Sequence, residues 1–379
     1  MKVKLGNICN IQSGGTPSRQ KKEYWENGNI PWIKISDFSG KYLNSSEENI
    51  TEKGLENSSA KMFHKGTILY SIYATLGEVT ILDIDASTNQ AIVGLTIIDD
   101  NISKDYLYYS LMSLKGYVNF IGRGATQNNI NMNILRNIEI PIVSLDQQHR
   151  IVAILDQVND LISLRNQQLE QLDLLIKSRF VEMFGDPVRN EKSLPTKLLC
   201  ELGSLGRGIS KCRPRNLPEL FGGKYPFIQT GEIANSNIYI KEFENTYSDK
   251  GLAQSKMWPT NTLCITIAAN IAKTAILTFD ACFPDSVVGF ISGGDVNQIY
   301  IHYWFTFFQK ILEEQAPLSC QKNINLKILS ELNVMLPPLA LQNQFASFVE
   351  EVEKEKATVK QSLEWLNTLK AKLMQDYFG

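Results

Sequence analysis

Ile151-Val-Ala-Ile-Leu-Asp-Gln-Val-Asn-Asp-Leu-Ile-Ser-Leu-Arg165 opens the stretch whose period decides the fold. From Ile151, the positions Leu155, Val158, Ile162, Arg165, Leu169, Leu172, Ile176, Arg179 and Met183 follow in alternating steps of four and three, and eight of the ten are apolar. Steps averaging 3.5 residues keep one apolar stripe on one face of an α-helix, the seam of a coiled coil. The same steps return at a constant offset of 194 residues in Phe345, Val349, Val352, Lys356, Val359, Leu363, Leu366, Lys370, Leu373 and Tyr377, again with eight apolar members. Ser144-Leu-Asp-Gln147 has the form of a capping box ahead of the first stretch, and Gly185 before Asp186-Pro187 supplies a stop. Two long helices are predicted, each of about 35 residues and about 50 Å at 1.5 Å per residue.

The repeat extends beyond the helices. Leu5-Gly6 returns as Leu202-Gly203, Gly54-Leu55 as Gly251-Leu252 and Val93-Gly94 as Val288-Gly289, at offsets of 197, 197 and 195. Gln127-Asn-Asn-Ile-Asn131 returns as Gln321-Lys-Asn-Ile-Asn325, and Met183-Phe-Gly185 as Tyr377-Phe-Gly379. Half of the chain is a diverged copy of the other half.

Between the helices the period changes. Thr67–Tyr73, Glu78–Leu82 and Ala91–Ile98, with their counterparts Leu263–Ile267, Thr274–Thr278 and Ser286–Ile291, are β-branched runs broken by turn residues, which predicts strands. Asp105–Leu114 and Ile299–Leu312 are aromatic-rich and long enough for helices, and Pro141, Pro337 and Pro338 give each lobe an extended exit. The fold class is α/β (α+β): two globular lobes, residues 1–143 and 188–338, alternating with helical segments 144–187 and 339–379. The second lobe starts where the first helix ends and must finish where the second begins. Antiparallel helices meet that condition without a crossing, so an antiparallel coiled coil and a pseudo-two-fold internal duplication are expected.

Composition narrows the chemistry. The 379 residues are 43% hydrophobic and 21% charged, which suits folded domains, and no apolar run reaches the length of a membrane span. With no signal-peptide pattern at the start, the cytoplasm is the expected compartment. The six cysteines are scattered without a CxxC pair and are expected to be reduced and mostly buried, and the three histidines are far apart. Neither a metal site nor a histidine-based triad is expected, and no catalytic residue is assigned. The formal charge of −2 runs against a nucleic-acid partner, but residues 1–143 carry 14 basic and 14 acidic side chains and residues 188–338 carry 15 and 13. The excess acid lies in the helices, so cationic contact must come from local clusters.

Two copies of one binding surface at a fixed separation suit a long two-fold ligand, and duplex DNA is such a ligand. The motifs sharpen this. Ile11-Gln-Ser-Gly-Gly-Thr-Pro-Ser-Arg19, Trp32-Ile-Lys-Ile-Ser-Asp37, Gly124-Ala-Thr-Gln-Asn-Asn-Ile-Asn131 and the run from Pro141 to Ile151 into the coiled coil together resemble the specificity subunit of type I restriction-modification systems, over the whole chain. The resemblance implies two target-recognition domains that read a bipartite, asymmetric DNA site, with the helices as spacer and as docking site for two methyltransferase (modification) subunits and for restriction/translocase subunits. It further implies that this chain binds no cofactor, S-adenosylmethionine, ATP and Mg sitting on the partner subunits. The second lobe departs from the pattern, with Gly206-Arg-Gly-Ile-Ser-Lys-Cys-Arg-Pro-Arg215 in place of the Gly-Thr-Pro loop.

Candidate contacts follow from these loops. Thr16, Ser18, Arg19, Lys21 and Lys22 surround the first turn, and Arg207, Lys211, Arg213 and Arg215 occupy the corresponding loop of the second lobe. They suit phosphate contact, with an Arg reaching guanine, against the alternative of a solvated charge run. Arg123, Gln127, Asn128 and Asn129, and Gln321, Lys322 and Asn323, offer amides that read adenine, against ordinary turn chemistry. Lys34 and Ser36, with Gln229 and Thr230 opposite them in the repeat, complete the set. The aromatic series Tyr300, Tyr303, Trp304, Phe305, Phe307 and Phe308 is read as core packing.

Rival readings have little material. No Lys has Asp or Glu two positions before it, so the Asp/Glu-x-Lys nuclease pattern is absent from the sequence. A glycine-rich cofactor loop, an Asn/Asp-Pro-Pro-aromatic motif and a P-loop are absent as well. The remaining alternative is a non-catalytic coiled-coil adaptor without DNA specificity.

Overall fold

In the computed structural model, residues 1–122, 129–268, 271–315 and 324–379 are described, 310–315 by backbone alone. Two 40-residue helices, Leu145–Phe184 and Leu339–Phe378, dominate it. Ser144 Oγ accepts from the Gln147 N–H at 3.4 Å, and the first helix gives way to Gly185 at φ +81°. No described helix is long and apolar enough to cross a membrane.

The chain divides into two compact units, 1–166 with 361–379, and 167–360. Each contains one lobe and a stretch of both long helices, so the chain passes from one unit to the other within a helix.

In the first unit, a five-stranded sheet has the order Cys9–Ser13, Ile92–Ile97, Ile68–Ser71, Val79–Leu82, Tyr42–Leu43. All pairings are antiparallel except the last, which is parallel. A four-stranded sheet (Glu48–Ile50, Ile30–Ile33, Ala86–Thr88, Met62–Phe63) lies beside it, and Lys2–Lys4 pairs with Glu139–Pro141. The central strands are buried at every position because they have a covering on each face. Ile68, Tyr70, Val79 and Ile81 pack with Tyr106, Leu107 and Leu111 of the helix Lys104–Ser113. Alternate residues Leu69, Leu82 and Ile92 pack with Ile33, Phe63 and Ala86 of the smaller sheet.

The second unit repeats this order. Its five-stranded sheet is Gly203–Arg207, Val287–Ser292, Leu263–Thr266, Thr274–Leu277, Tyr239–Ile240. Its four-stranded sheet is Asn245–Tyr247, Phe221–Phe227, Ala281–Cys282, Met257–Trp258, and Thr196–Leu198 pairs with Asn333–Met335. Tyr300, Tyr303, Trp304 and Phe305 of the helix Gln298–Gln315 are buried in the core, with Phe307 and Phe308 packed against it, as expected for packing rather than base stacking. Of the five cysteines in described segments, Cys9, Cys264 and Cys282 are buried, Cys212 is half-buried and Cys200 is exposed.

The helices pair antiparallel within each unit. In the second, Asp173 Oδ1 accepts from Lys356 Nζ at 2.7 Å, while further along the first helix Phe180 and Phe184 lie 5.4 and 5.6 Å from the earlier Phe345. In the first, Ile151 and Leu155 share a core with Phe378 at the opposite helix end. Every seam position from Ile151 to Met183 and from Phe345 to Tyr377 is buried or half-buried. Near the ends the buried stripe moves on by one residue: Phe180, Phe184 and Phe378 are 0%, 0% and 8% exposed, while Arg179, Met183 and Tyr377 are half-buried. A straight helix drifts about 20° per heptad against a 3.5-residue repeat, and these last turns also pack on the lobes. Polar contacts add to that attachment. Lys41 Nζ reaches Asp156 at 2.7 Å, and Asn159 donates to Tyr109 Oη at 2.7 Å in the first unit; Asn237 donates to Glu353 at 2.8 Å in the second.

Of the four charged seam members, Arg165, Arg179 and Lys370 are half-buried and Lys356 is buried, 4% exposed, with its ammonium on Asp173 and Glu353 at 2.7 and 2.6 Å. Burial lowers its pKa, but the two carboxylates outweigh that and hold it above the usual range. Because the Asp173 side chain stays 55% exposed, it rehydrates when the cation is removed. Lys356→Met, which keeps the apolar stem, is therefore expected to change stability by no more than about 1 kcal/mol in urea denaturation. A loss above about 3 kcal/mol would mean that the ion pairs, not the packed stem, hold the seam there.

Candidate nucleic-acid interface

The first lobe's candidate loop leaves the strand Cys9–Ser13 through a turn pinned from beneath. Gly14 donates to Ile92 O at 3.0 Å and Gly15 to Thr88 O at 2.9 Å. A β-carbon at Gly14 would lie 2.0 Å from Thr88 Oγ1, so the tight approach needs glycine. Trp32 Nε1 donates to Gly15 O at 3.1 Å, and Thr16 Oγ1 donates to Gln90 Oε1. Beyond the turn, the Arg19 guanidinium lies 3.7 Å from the Trp25 ring centroid and 4.9 Å from that of Trp32, and pairs with Glu48. Trp25 donates to the backbone carbonyl of Ser18 at 3.1 Å, which fixes the ring under the arginine.

Glu48 joins two candidates distant in sequence, because Lys34 Nζ also binds it at 3.0 Å and Glu47 at 2.9 Å. Hydrogen bonds to Glu47 and Glu48 hold the Lys34 ammonium above its usual pKa range, and Arg19 and Lys34 hold the Glu48 carboxyl below its own. Lys21 donates to Tyr24 Oη at 2.9 Å and Lys22 pairs loosely with Glu26 at 3.7 Å. Ser36 is exposed in a short turn that Asp37 caps through the Lys34 N–H. Of these pairs, Lys22–Glu26 is exposed on both sides and therefore weak, whereas the Lys34 and Glu48 side chains are 26% and 30% exposed.

In the second lobe the counterpart loop is tethered differently. Gly208 donates to Val287 O at 2.8 Å, and a β-carbon there would lie 2.2 Å from Pro284 O. The backbone N–H groups of Lys211 and Cys212 donate to the Gln254 side-chain oxygen at 2.7 and 3.1 Å. Arg213 donates to the carbonyls of Ser210 and Cys212 at 2.7 and 2.8 Å, and its guanidinium lies 3.8 Å from Asp285. Arg215 binds Asp285 Oδ2 at 2.7 Å, and Arg207 donates to the Asp285 backbone carbonyl. The structure thus gathers three of the four cationic candidates of this loop. Gln229 and Thr230 instead begin the helix Thr230–Asn235, where Glu232 accepts from the Gln229 N–H at 2.6 Å.

Arg123, Gln127, Asn128, Gln321, Lys322 and Asn323 lie outside the described residues. Asn129 is half-buried and bridges to Tyr73. The repeated Asn-Ile-Asn has a structural role at its last position: Asn131 accepts from the Ile134 N–H at 2.8 Å and Asn325 from Ile328 at 2.9 Å, each capping a short helix. Sequence reasoning missed a groove of about 690 Å³ in the first lobe, lined by Tyr73, Gln90, Asn131, Asn133 and Arg136. These residues come from separate segments and share no local period. Asp285 was likewise missed, 70 residues from Arg215.

The model of the type I restriction modification DNA specificity domain matches residues 1–174 and 200–367. Among curated proteins, the type I restriction enzyme MjaIX specificity subunit of Methanocaldococcus jannaschii is 34% identical over 196 residues, covering 50% of this chain and 45% of that one. The EcoR124I/EcoR124II specificity subunit of Escherichia coli is 31% identical over 163 residues, covering 41% and 40%. These alignments span less than half the length of either relative. Among solved structures, the S subunit of a type I system from M. genitalium covers 100% of this chain and 96% of its own at 16% identity, with a TM-score of 0.57. A chain solved in work on complex assembly and conformational transition of the type I R-M system covers 100% and 97% at 16% identity, with a TM-score of 0.66. At that identity, the two structural likenesses concern the fold.

Proposed function

Since the chain belongs to the type I restriction-modification DNA specificity family, matched in both halves of its repeat, we propose that it is the non-catalytic subunit that selects the DNA sequence for such a complex. Residues 1–143 and 188–338 act as target-recognition domains, each reading one half of a bipartite, asymmetric site. Segments 144–187 and 339–379 act as spacer and as docking surface for two modification methyltransferase subunits and, where present, restriction/translocase subunits. S-adenosylmethionine, ATP and Mg belong to those partners, and the assembly works in the cytoplasm.

The observation that carries this reading is a repeated sheet framework with divergent loop chemistry. The same strand order supports both candidate loops, yet one places a single arginine on a tryptophan pair and the other places three arginines around an aspartate. A shared framework with different contact groups is what recognition of two unlike half-sites requires.

The test is adenine methylation mapped at single-base resolution in cells carrying the methyltransferase subunits, with and without this chain. A bipartite motif that disappears with the chain supports the reading, and unchanged motifs with active methyltransferase overturn it. Within that assay, Arg19→Ala is expected to weaken recognition about 10- to 100-fold, the worth of one good base contact, and to relax only one half of the motif. Relaxation of both halves would remove the case for modular reading.

A further inference from the structure

We propose that Asp285 is a positioning residue for the second lobe's guanine-reading arginines, an inference that rests on the DNA-recognition reading above. Arg207 and Arg215 bind its backbone carbonyl and carboxylate respectively, and Arg213 stands 3.8 Å from the same carboxylate oxygen. Three cations around one anion leave the cluster positive. The Asp285 side chain is 27% exposed, whereas those of Arg213 and Arg215 are 56% and 48% exposed. The carboxylate is the more enclosed partner and the guanidiniums present the open surface.

A carboxylate placed against a phosphate-bearing ligand weakens general attraction, so its contribution to binding must be directional. Bidentate contact with the O6 and N7 of guanine requires a guanidinium in a defined plane, and a free arginine surrenders much side-chain freedom to reach it. Anchoring to Asp285 supplies that constraint before DNA arrives. The loop itself is held by an independent anchor. Gln254, 7% exposed, accepts from the backbone N–H groups of Lys211 and Cys212, and Ser210 is 8% exposed.

The first lobe uses the equivalent position differently. Gln90, 195 residues earlier, accepts from Thr16 in the corresponding loop. The 90/285 position therefore contacts the candidate loop in both copies while carrying a neutral amide in one and an anion in the other. That difference assigns it a part in determining which bases each loop can address.

The experiment uses the full chain assembled with its methyltransferase subunits, comparing wild type, Asp285→Asn and Arg215→Lys. Binding is measured on the cognate duplex and on one with the second half-site scrambled, over a salt series, and methylation motifs are mapped at single-base resolution. Asp285→Asn is expected to lower cognate affinity about 10-fold or more, leave binding to the scrambled duplex equal or tighter, and broaden a guanine position in the second half-site only. Arg215→Lys, at an exposed side chain that leaves the fold intact, is expected to broaden the same position. Unchanged or tighter cognate binding by Asp285→Asn with an unchanged motif overturns the proposal, as does an unchanged motif in Arg215→Lys. A wild-type complex without any bipartite motif would instead overturn the reading on which it rests.

Discussion

Gln342→Ala is expected to destabilise the second unit by about 3–5 kcal/mol, a large effect for removal of one neutral side chain. Gln342 is fully buried in the first turn of its long helix. Its side-chain oxygen accepts from the Asn297 N–H at 2.9 Å, and its amide donates to Asp295 O at 3.2 Å and Pro337 O at 2.8 Å. One amide thereby satisfies three backbone groups where the lobe, the exit and the helix meet. Alanine leaves the Pro337 carbonyl in a buried setting and the Asn297 N–H and Asp295 carbonyl in part-buried ones, at a cost of about 1–3 kcal/mol each before relaxation or entering water recovers part of it. Gln148 repeats the arrangement 194 residues earlier, accepting from Ser103 N at 2.8 Å and donating to Asn101 O and Val143 O at 2.9 Å each. Gln148→Ala should carry the same penalty in the first unit. Urea denaturation of the full chain gives the magnitude, and hydrogen exchange at the helix start locates it. Losses below about 1 kcal/mol in both variants would show that other groups take over these bonds.

The second large effect is acid lability centred on His302. The residue is 5% exposed, its Nδ1 lies 2.9 Å from Thr274 Oγ1, and its ring stands edge-on to Tyr303 at 5.0 Å. Burial disfavours the imidazolium and pushes the pKa down to about 4, from an ordinary 6.5. Between these values the unfolded chain binds a proton that the folded chain does not. The stabilisation is therefore complete above pH 6.5, falls as the pH is lowered, and is lost below about 4, amounting to about 3 kcal/mol. Asp173, Lys177 and Lys273 line the same cavity, so the useful quantity is a difference between variants. His302→Gln should have a shallower dependence of stability on pH over that window. The same slope in both proteins would exclude His302 as the source. Tyr108 occupies the equivalent position of the first lobe, so this proton linkage should be confined to the second unit.

The amino-acid sequence by itself determined the features carried by a local period. The alternating four-and-three steps place Ile151 through Met183 and Phe345 through Tyr377 on one helical face, and every one of them is buried or half-buried. The constant offset of 194 makes the two long helices and their exits copies, whatever their neighbours are. The β-branched runs Ile68–Ser71 and Val79–Leu82 were legible for the same reason, since a strand also has a period. Only the tertiary structure decided which distant segments meet. Short strands such as Tyr42–Leu43, two residues long, have too few positions to show a period and are strands because a neighbour supplies hydrogen bonds. The stripe moves to Phe180, Phe184 and Phe378 where helix ends contact a lobe, an influence absent from the heptad itself. The candidate cations show the same division. Their residue types and loops are visible in sequence, but Arg19 joins Lys34 through Glu48, and Arg207, Arg213 and Arg215 meet at Asp285, only after folding. Local periodicity follows from backbone geometry and can be read along the chain, whereas a charge's partner is fixed by chain closure over tens of residues.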